Sequence, residues 1–158
     1  FMRHNLFEGL GIAPEQTNIE NGMAEDEEGE CARYDALLDA MPRDIQLLGL
    51  GSNGHIAFNE PNTPFGCGTH VVSLAESTIK DNARLFASQD EVPRKAFTMG
   101  IRHIMQAKRI LILASGANKA EAVYEMTKGQ VTEEVPASVL QLHPDCTLIA
   151  DEAAAAKL

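Results

Sequence analysis

The 158 residues fit one domain, and with 44% apolar and 23% charged residues they suffice for a buried core. A formal net charge of −10 argues against a nucleic-acid backbone or an anionic membrane as partner, though not against a small anion held in a locally basic pocket. Cys31, Cys67 and Cys146 are widely spaced, without a C-x-x-C pair or a histidine at zinc spacing, and no apolar run reaches the roughly 20 residues of a membrane span. Reduced thiols, no structural metal and a cytoplasmic setting are the expectation.

In chain order, FMRHNLFEGLGI carries apolar residues at Phe1, Met2, Leu6, Phe7 and Leu10, a helical stripe that Gly11 would stop. APEQTNIENG reads as a loop. The acidic run AEDEEGE, Ala24 to Glu30, reads as a solvated loop and first helical turn, where carboxylates suit the dipole. DEEGECARYDALLDAM is the helix itself, with Cys31, Tyr34, Leu37, Leu38 and Met41 on one face. DIQLLGLG is a continuous apolar run, predicted as a buried parallel strand. THVVSL is a second strand, and Glu76 to Phe86 a helix.

The stretch KAFTMGIRHIMQAKRILILASG predicts a short strand, a short helix and a strong strand from Arg109 to Ala114. ANKAEAVYEMTKG is a helix closed by Gly129, PASVLQLH a helical turn, CTLIAD a last strand and EAAAAKL a terminal helix. Strands alternating with helices predict an α/β fold with a mainly parallel sheet. No repeat, low-complexity stretch or linker divides the chain, so residues 1–158 are expected to form a single domain.

Gly49, Gly51 and Gly54 in LGLGSNGHIAFNEP spell G-x-G-x-x-G, the dinucleotide-binding fingerprint. That fingerprint needs a helix after its third glycine, to face the pyrophosphate. Here HIAFNEP follows, Pro61 comes seven residues after Gly54, and NTPFGCGT adds more loop. The acidic residue required about 20 positions on also has no good candidate. The nucleotide reading fails on context. What remains is a tight turn at the carboxyl edge of a parallel sheet, where α/β ligand sites lie. It presents His55, whose imidazole can give or take a proton, and Glu60, which could orient it or share its proton, although a structural histidine has the same sequence signature.

ILILASGANKAEAV repeats the pattern of strand, small-residue turn and helix. Ser115, Gly116 and the first helical amides could hold an anion, and Lys119 in the first turn opposes the helix dipole unless a phosphate is bound there. A solvent-facing lysine reads equally well. Arg84 in DNARLF is either a second phosphate contact or a surface residue.

Taken in order, GLGSNGHIAFNEP, NARLF, VPRKAFTMGI, ILILASGANKAEAV and PASVLQLHPD resemble the glucosamine-6-phosphate deaminase family, also called glucosamine-6-phosphate isomerases. The stretch FMRHNLF…NIENG…ECARYDALL extends the resemblance ahead of the glycine turn. Related 6-phosphogluconolactonases share a glycine-rich turn with a histidine but continue differently from IAFNEP. The resemblance implies a Rossmann-like three-layer α/β fold, here as its C-terminal portion. It implies conversion of glucosamine 6-phosphate and water to fructose 6-phosphate and ammonia, without a metal or organic cofactor. It places His55 as the ring-opening histidine, Glu60 as its supporting carboxylate and Asn53 as the third member of the relay, with Arg84 and Lys119 as phosphate ligands. Asparagine cannot act as a base, so proton transfer would fall to His55 and Glu60.

Two departures matter. The family's base for the C2 proton is an Asp in a block near LDEYVGL, accompanied by a phosphate loop, and neither occurs in this sequence. Little or no deaminase activity is therefore expected of this polypeptide alone. Members activated by N-acetylglucosamine 6-phosphate carry basic residues on the strand after the turn, where this sequence has His70 and Val72. Weak or absent activation is expected, and a monomer and a homo-oligomer remain equally open. A lactonase of the same fold and a non-catalytic sugar-phosphate-binding module are the competing readings.

Overall fold

The computed structural model describes residues 2–158; Phe1, the first member of the N-terminal stripe, lies outside the described residues. The chain starts with a π-helical segment, Arg3–Phe7, and a single α-helical turn, α1 (Glu8–Leu10), which ends at Gly11 in the left-handed conformation. The helix is where the periodicity puts it, but Met2, Leu6 and Leu10 are exposed, so the stripe does not pack into the core.

Helix α2 (Glu27–Ala40) begins at Asp26, whose side chain accepts the Gly29 N–H at 2.9 Å. Replacing Asp26 with Ala is expected to cost about 0.5–2 kcal/mol, the usual value of an N-cap, and a denaturant titration would show it. The acidic run is not wholly solvated. Glu30 is buried, takes the Asn21 N–H and both Nε and Nη2 of Arg33, and these bonds hold its carboxyl well below the ordinary range. Tyr34 and Leu38 of the predicted apolar face are buried, while Met41 stays exposed past the helix end. His103 is fully buried between Asp39 (3.0 Å) and Asp35 (3.3 Å), pinning α2 to helix α4 (Ile101–Met105).

Three parallel strands form the main sheet in the order β1 (Ile45–Gly49), β4 (Arg109–Ala114), β5 (Cys146–Ala150). Leu48 pairs with Ile112, and Ile112 with Leu148. Leu48, Leu50, Ile110, Ile112 and Ala114 form one wall of the core, packed against Ile101 and Ile104 of α4, Val123 and Met126 of α5 (Ala120–Lys128), and Val139 and Leu140 of the 3-10 segment Pro136–Leu142. The opposite face carries Ile45, Leu47, Leu113 and Ile149, all exposed. The β1 run is therefore a strand buried on one face, not on two; its alternate residues point away from the helices covering the other side.

THVVSL forms β2 (His70–Ser73) but does not join the parallel sheet. It pairs antiparallel with β3 (Lys95–Thr98) in a separate two-stranded ladder, with His70 opposite Thr98. Between them lie α3 (Glu76–Asn82) and a 3-10 turn, Ala83–Leu85. The final EAAAAKL makes successive turns rather than a helix. Asp151 caps Ala154 N–H at 2.8 Å, Ala154 is fully buried, and Lys157 pairs with Glu121 of α5. Seven residues are too few for alanine propensity to nucleate a helix, so tertiary contacts decide the segment.

Candidate functional site

β1 ends at Gly49 and the chain reverses at once. Leu50 forms an antiparallel bridge with Ile56, Gly51 N–H donates to the His55 carbonyl at 2.9 Å, and Gly54 N–H to the Gly51 carbonyl at 3.0 Å. This closure needs glycine at two points. Gly54 has φ 84°, and a Cβ on Gly51 would lie 2.4 Å from His55 Nδ1. Asn59 Nδ2 donates to the Ile56 and Met99 carbonyls, Phe58 N–H donates to Thr98 Oγ1, and Ala137 N–H donates to the Gly54 carbonyl, so the turn is tied to β3 and to the 3-10 segment. No helix follows Gly54 until α3, which removes the structural basis of a dinucleotide site.

The turn brings Asn53, His55 and Glu60 together. His55 Nδ1 lies 3.5 Å from Glu60 Oε2, an ion-pair separation rather than a close hydrogen bond. Asn53 Nδ2 donates to Glu60 Oε2 at 2.8 Å, and Asn53 Oδ1 accepts the His55 N–H at 3.2 Å. The other carboxylate oxygen, Oε1, receives the Thr78 hydroxyl at 2.5 Å and the Ala75 N–H at 3.1 Å. Burial alone would raise the Glu60 carboxyl, but its interaction with His55 and the hydrogen bonds from Thr78, Asn53 and Ala75 outweigh it and hold the group at about 2. Glu60 is therefore ionised through the neutral range.

This has a consequence for stability. A carboxyl whose pKa falls on folding stabilises fully above its unfolded value, 4.5, and loses that contribution as pH drops towards about 2. Glu60→Gln is expected to be less stable than the parent at pH 7, with the gap narrowing across that acid window. Denaturant titrations of both proteins at several pH values test this, and a gap that does not narrow would overturn it.

Thr78 and the Ala75 amide escape the sequence reading. Their contact with Glu60 spans 18 and 15 residues and exists because α3 folds back over the turn. Ser52 Oγ donates to Asp81 at 2.8 Å and adds a further tie between turn and helix. An apolar hollow of about 540 Å³ behind this segment is lined by Phe58, Leu74, Leu85 and Phe86 and includes neither His55 nor Glu60.

The two cations stand apart from the relay. Arg84 is exposed in the 3-10 turn after α3, and Lys119 is half-buried at the N-terminal end of α5; among the described residues neither side chain has a hydrogen-bond or ion-pair partner. Gly49 pairs with Leu113, so the turns after β1 and β4 leave the same carboxyl edge of the sheet. The anion reading of Ser115 and Gly116 needs correction. The Asp151 carboxylate already takes the Ser115 hydroxyl at 2.6 Å and the Gly116 N–H at 3.0 Å, so these groups are occupied from within the chain. Those bonds, Ser115 first, lower the Asp151 pKa.

The family described as glucosamine-6-phosphate isomerases/6-phosphogluconolactonase matches residues 1–149. The chain is 55% identical over 159 aligned positions to a glucosamine-6-phosphate deaminase of Clostridioides difficile, covering 100% of this chain and 64% of that protein. It is 56% identical to one from Lactobacillus johnsonii, covering 100% and 65%. Among solved structures, a monomeric glucosamine-6-phosphate deaminase superposes with a TM-score of 0.97 at 50% identity, over 99% of this chain and 66% of the other. The 6-phosphogluconolactonase of Trypanosoma brucei gives 0.66 at 20% identity, over 96% and 60%, a likeness of fold alone. The chain thus spans slightly less than two thirds of the length of these curated relatives. A match this extensive, at identities above one half, settles descent: the chain belongs to the glucosamine-6-phosphate isomerase/6-phosphogluconolactonase family.

Proposed function

We propose that this chain acts on glucosamine 6-phosphate as the larger part of a deaminase that yields fructose 6-phosphate and ammonia, and that its own residues carry the ring-opening step. The observation that carries the reading is the pairing of His55 with an ionised Glu60 in one tight turn at the sheet edge. His55 takes the proton of the sugar's O1 hydroxyl, the C1–O5 bond breaks, and the proton is returned to O5, giving the open-chain aldehyde. Glu60, held at about 2, stabilises the imidazolium and orients the ring rather than exchanging a proton itself. Asn53 holds both partners by hydrogen bonds. Arg84 and Lys119, whose side chains have no partner among the described residues, are assigned to the phosphate; at the N-terminal end of α5 a bound anion would offset the conflict between Lys119 and the helix dipole.

Ring opening and reclosure exchange the two anomers, which makes the step measurable without ammonia release. Exchange spectroscopy on glucosamine 6-phosphate is expected to show faster anomer exchange with this 158-residue protein present. Little ammonia is expected, because no residue here is assigned as the C2 base. Rapid ammonia release would overturn the second point; binding without exchange would favour a sugar-phosphate-binding module, and hydrolysis of 6-phosphogluconolactone a lactonase.

Activation by N-acetylglucosamine 6-phosphate is expected to be weak or absent. His70 Nδ1 is engaged by the Gly68 carbonyl at 2.9 Å and Cys67 Sγ at 3.3 Å, and Val72 offers no charge. The monomeric state of the 50% identical neighbour supports a monomer here, and the substrate class supports action in the cytoplasm.

A further inference from the structure

We propose that Thr78 is a positioning residue for ring opening: by donating its hydroxyl to Glu60 it leaves only acceptors in front of His55 Nδ1, and so commits the imidazole to the tautomer whose Nε2 is bare. The catalytic consequence rests on the ring-opening reading above; the tautomer assignment rests on the distances around Nδ1 and on an ionised Glu60.

Thr78 is 1% exposed and sits on α3. A threonine hydroxyl has one proton and two lone pairs, and an ionised carboxylate can only accept. At 2.5 Å from Glu60 Oε1, the hydroxyl proton has to point at that oxygen. The side of Oγ1 that faces His55 Nδ1, 3.4 Å away, is then a lone pair. Glu60 Oε2, at 3.5 Å, is a second acceptor for the same nitrogen. A bare Nδ1 would set its lone pair against two others, so Nδ1 carries the proton and Nε2 becomes the basic nitrogen.

The hydroxyl is held in this role by its helix. A helical threonine commonly turns back to the carbonyl one turn earlier, as Thr127 does with Val123 at 2.8 Å. Thr78 instead reaches across to the turn. Its carbonyl accepts Asn82 Nδ2 at 2.8 Å, its neighbour Ile79 is buried, and Ala75 N–H reaches the same Glu60 oxygen from the start of α3. Nothing in the glycine turn itself duplicates this: Asn53 contacts only the other oxygen. Without Thr78 one of the donors that place Glu60 is gone, and Nδ1 loses one of its two acceptors.

The test uses the whole chain and three proteins: the parent, Thr78→Val, which keeps the shape and removes the hydroxyl, and Thr78→Ser, which keeps the hydroxyl. The first readout is the His55 tautomer from imidazole nitrogen shifts at mildly alkaline pH, assigned with His55→Gln. The parent and Thr78→Ser are expected to show Nε2 bare, and Thr78→Val a mixture. The second readout is anomer exchange. Thr78→Val is expected to slow the maximal rate about 10- to 100-fold, the range for losing a hydrogen bond to a charged group, with half-saturation nearly unchanged. Thr78→Ser is expected to recover most of it.

A parent in which Nδ1 is bare overturns the proposal without any variant, so a Thr78→Val protein that fails to fold does not shelter it. So does a Thr78→Val protein with the parent's tautomer and rate, or a Thr78→Ser protein as slow as Thr78→Val. If neither the parent nor His55→Gln accelerates exchange, the ring-opening reading fails, and the tautomer measurement still decides the role of Thr78.

Discussion

Replacing His55 with glutamine is expected to slow anomer exchange of glucosamine 6-phosphate by about 10²–10⁴, the span that general acid–base catalysis contributes. Glutamine keeps a donor that can face Glu60, but it cannot take a proton from O1 and return it to O5. The fold has no matching stake in the imidazole. His55 lines the turn rather than the main core, and the turn's closing bonds run through its backbone carbonyl and N–H. The variant should therefore melt close to the parent while losing exchange. A near-parental exchange rate would remove His55 from the chemistry. Glu60→Gln sharpens the comparison, because Glu60 is read as a fixed carboxylate. Its loss should lower the rate while leaving the imidazole able to cycle its proton.

The second large effect is expected from a single methyl group. In Gly51→Ala the new Cβ would lie 2.4–2.6 Å from Nδ1, Cε1 and Cγ of His55. Those are side-chain atoms, so the imidazole swings away while the backbone of the turn persists. An ångström-scale displacement of a catalytic group can cost about 10²-fold in rate, and that is the loss expected here. Exchange spectroscopy reads the rate, a thermal melt reads the fold, and ring-current shifts at Phe58, whose centroid lies 6.1 Å from that of His55, report the ring's displacement. A variant with a parental rate would show that His55 works from a different rotamer. Gly54→Ala is the useful contrast. It strains the backbone itself, at φ 84°, and meets Val135 at 2.8 Å, so it should lower stability as well as rate.

Much of this molecule is legible locally. Apolar runs bounded by glycine and charge mark β1, β4 and β5, and the apolar face with Tyr34 and Leu38 marks α2, because these patterns record which side of an element meets the core. The pairing of His55 with Glu60 is legible for a related reason: both lie in one turn, five residues apart, and Pro61 excludes the helix that a nucleotide site requires. The motif resemblance then names the family, and the family match over residues 1–149 bears it out.

What the sequence could not determine is whatever depends on segments meeting across the fold. THVVSL reads as a strand, but only its partner decides that it forms an antiparallel ladder with β3 instead of extending the parallel sheet. Ser115 and Gly116 read as an anion-binding turn, but Asp151, 35 residues from Gly116, supplies the anion from within the chain. Glu30 reads as solvated, but Arg33 and the Asn21 amide let it be buried. Thr78 has no spacing that links it to Glu60, 18 residues earlier, until α3 lies across the turn. Local pattern determines the elements and the residue types of the site, since each is set by neighbours in the chain. Tertiary structure alone decides which polar groups satisfy one another, because a buried donor or acceptor takes whichever partner the packed fold brings within reach.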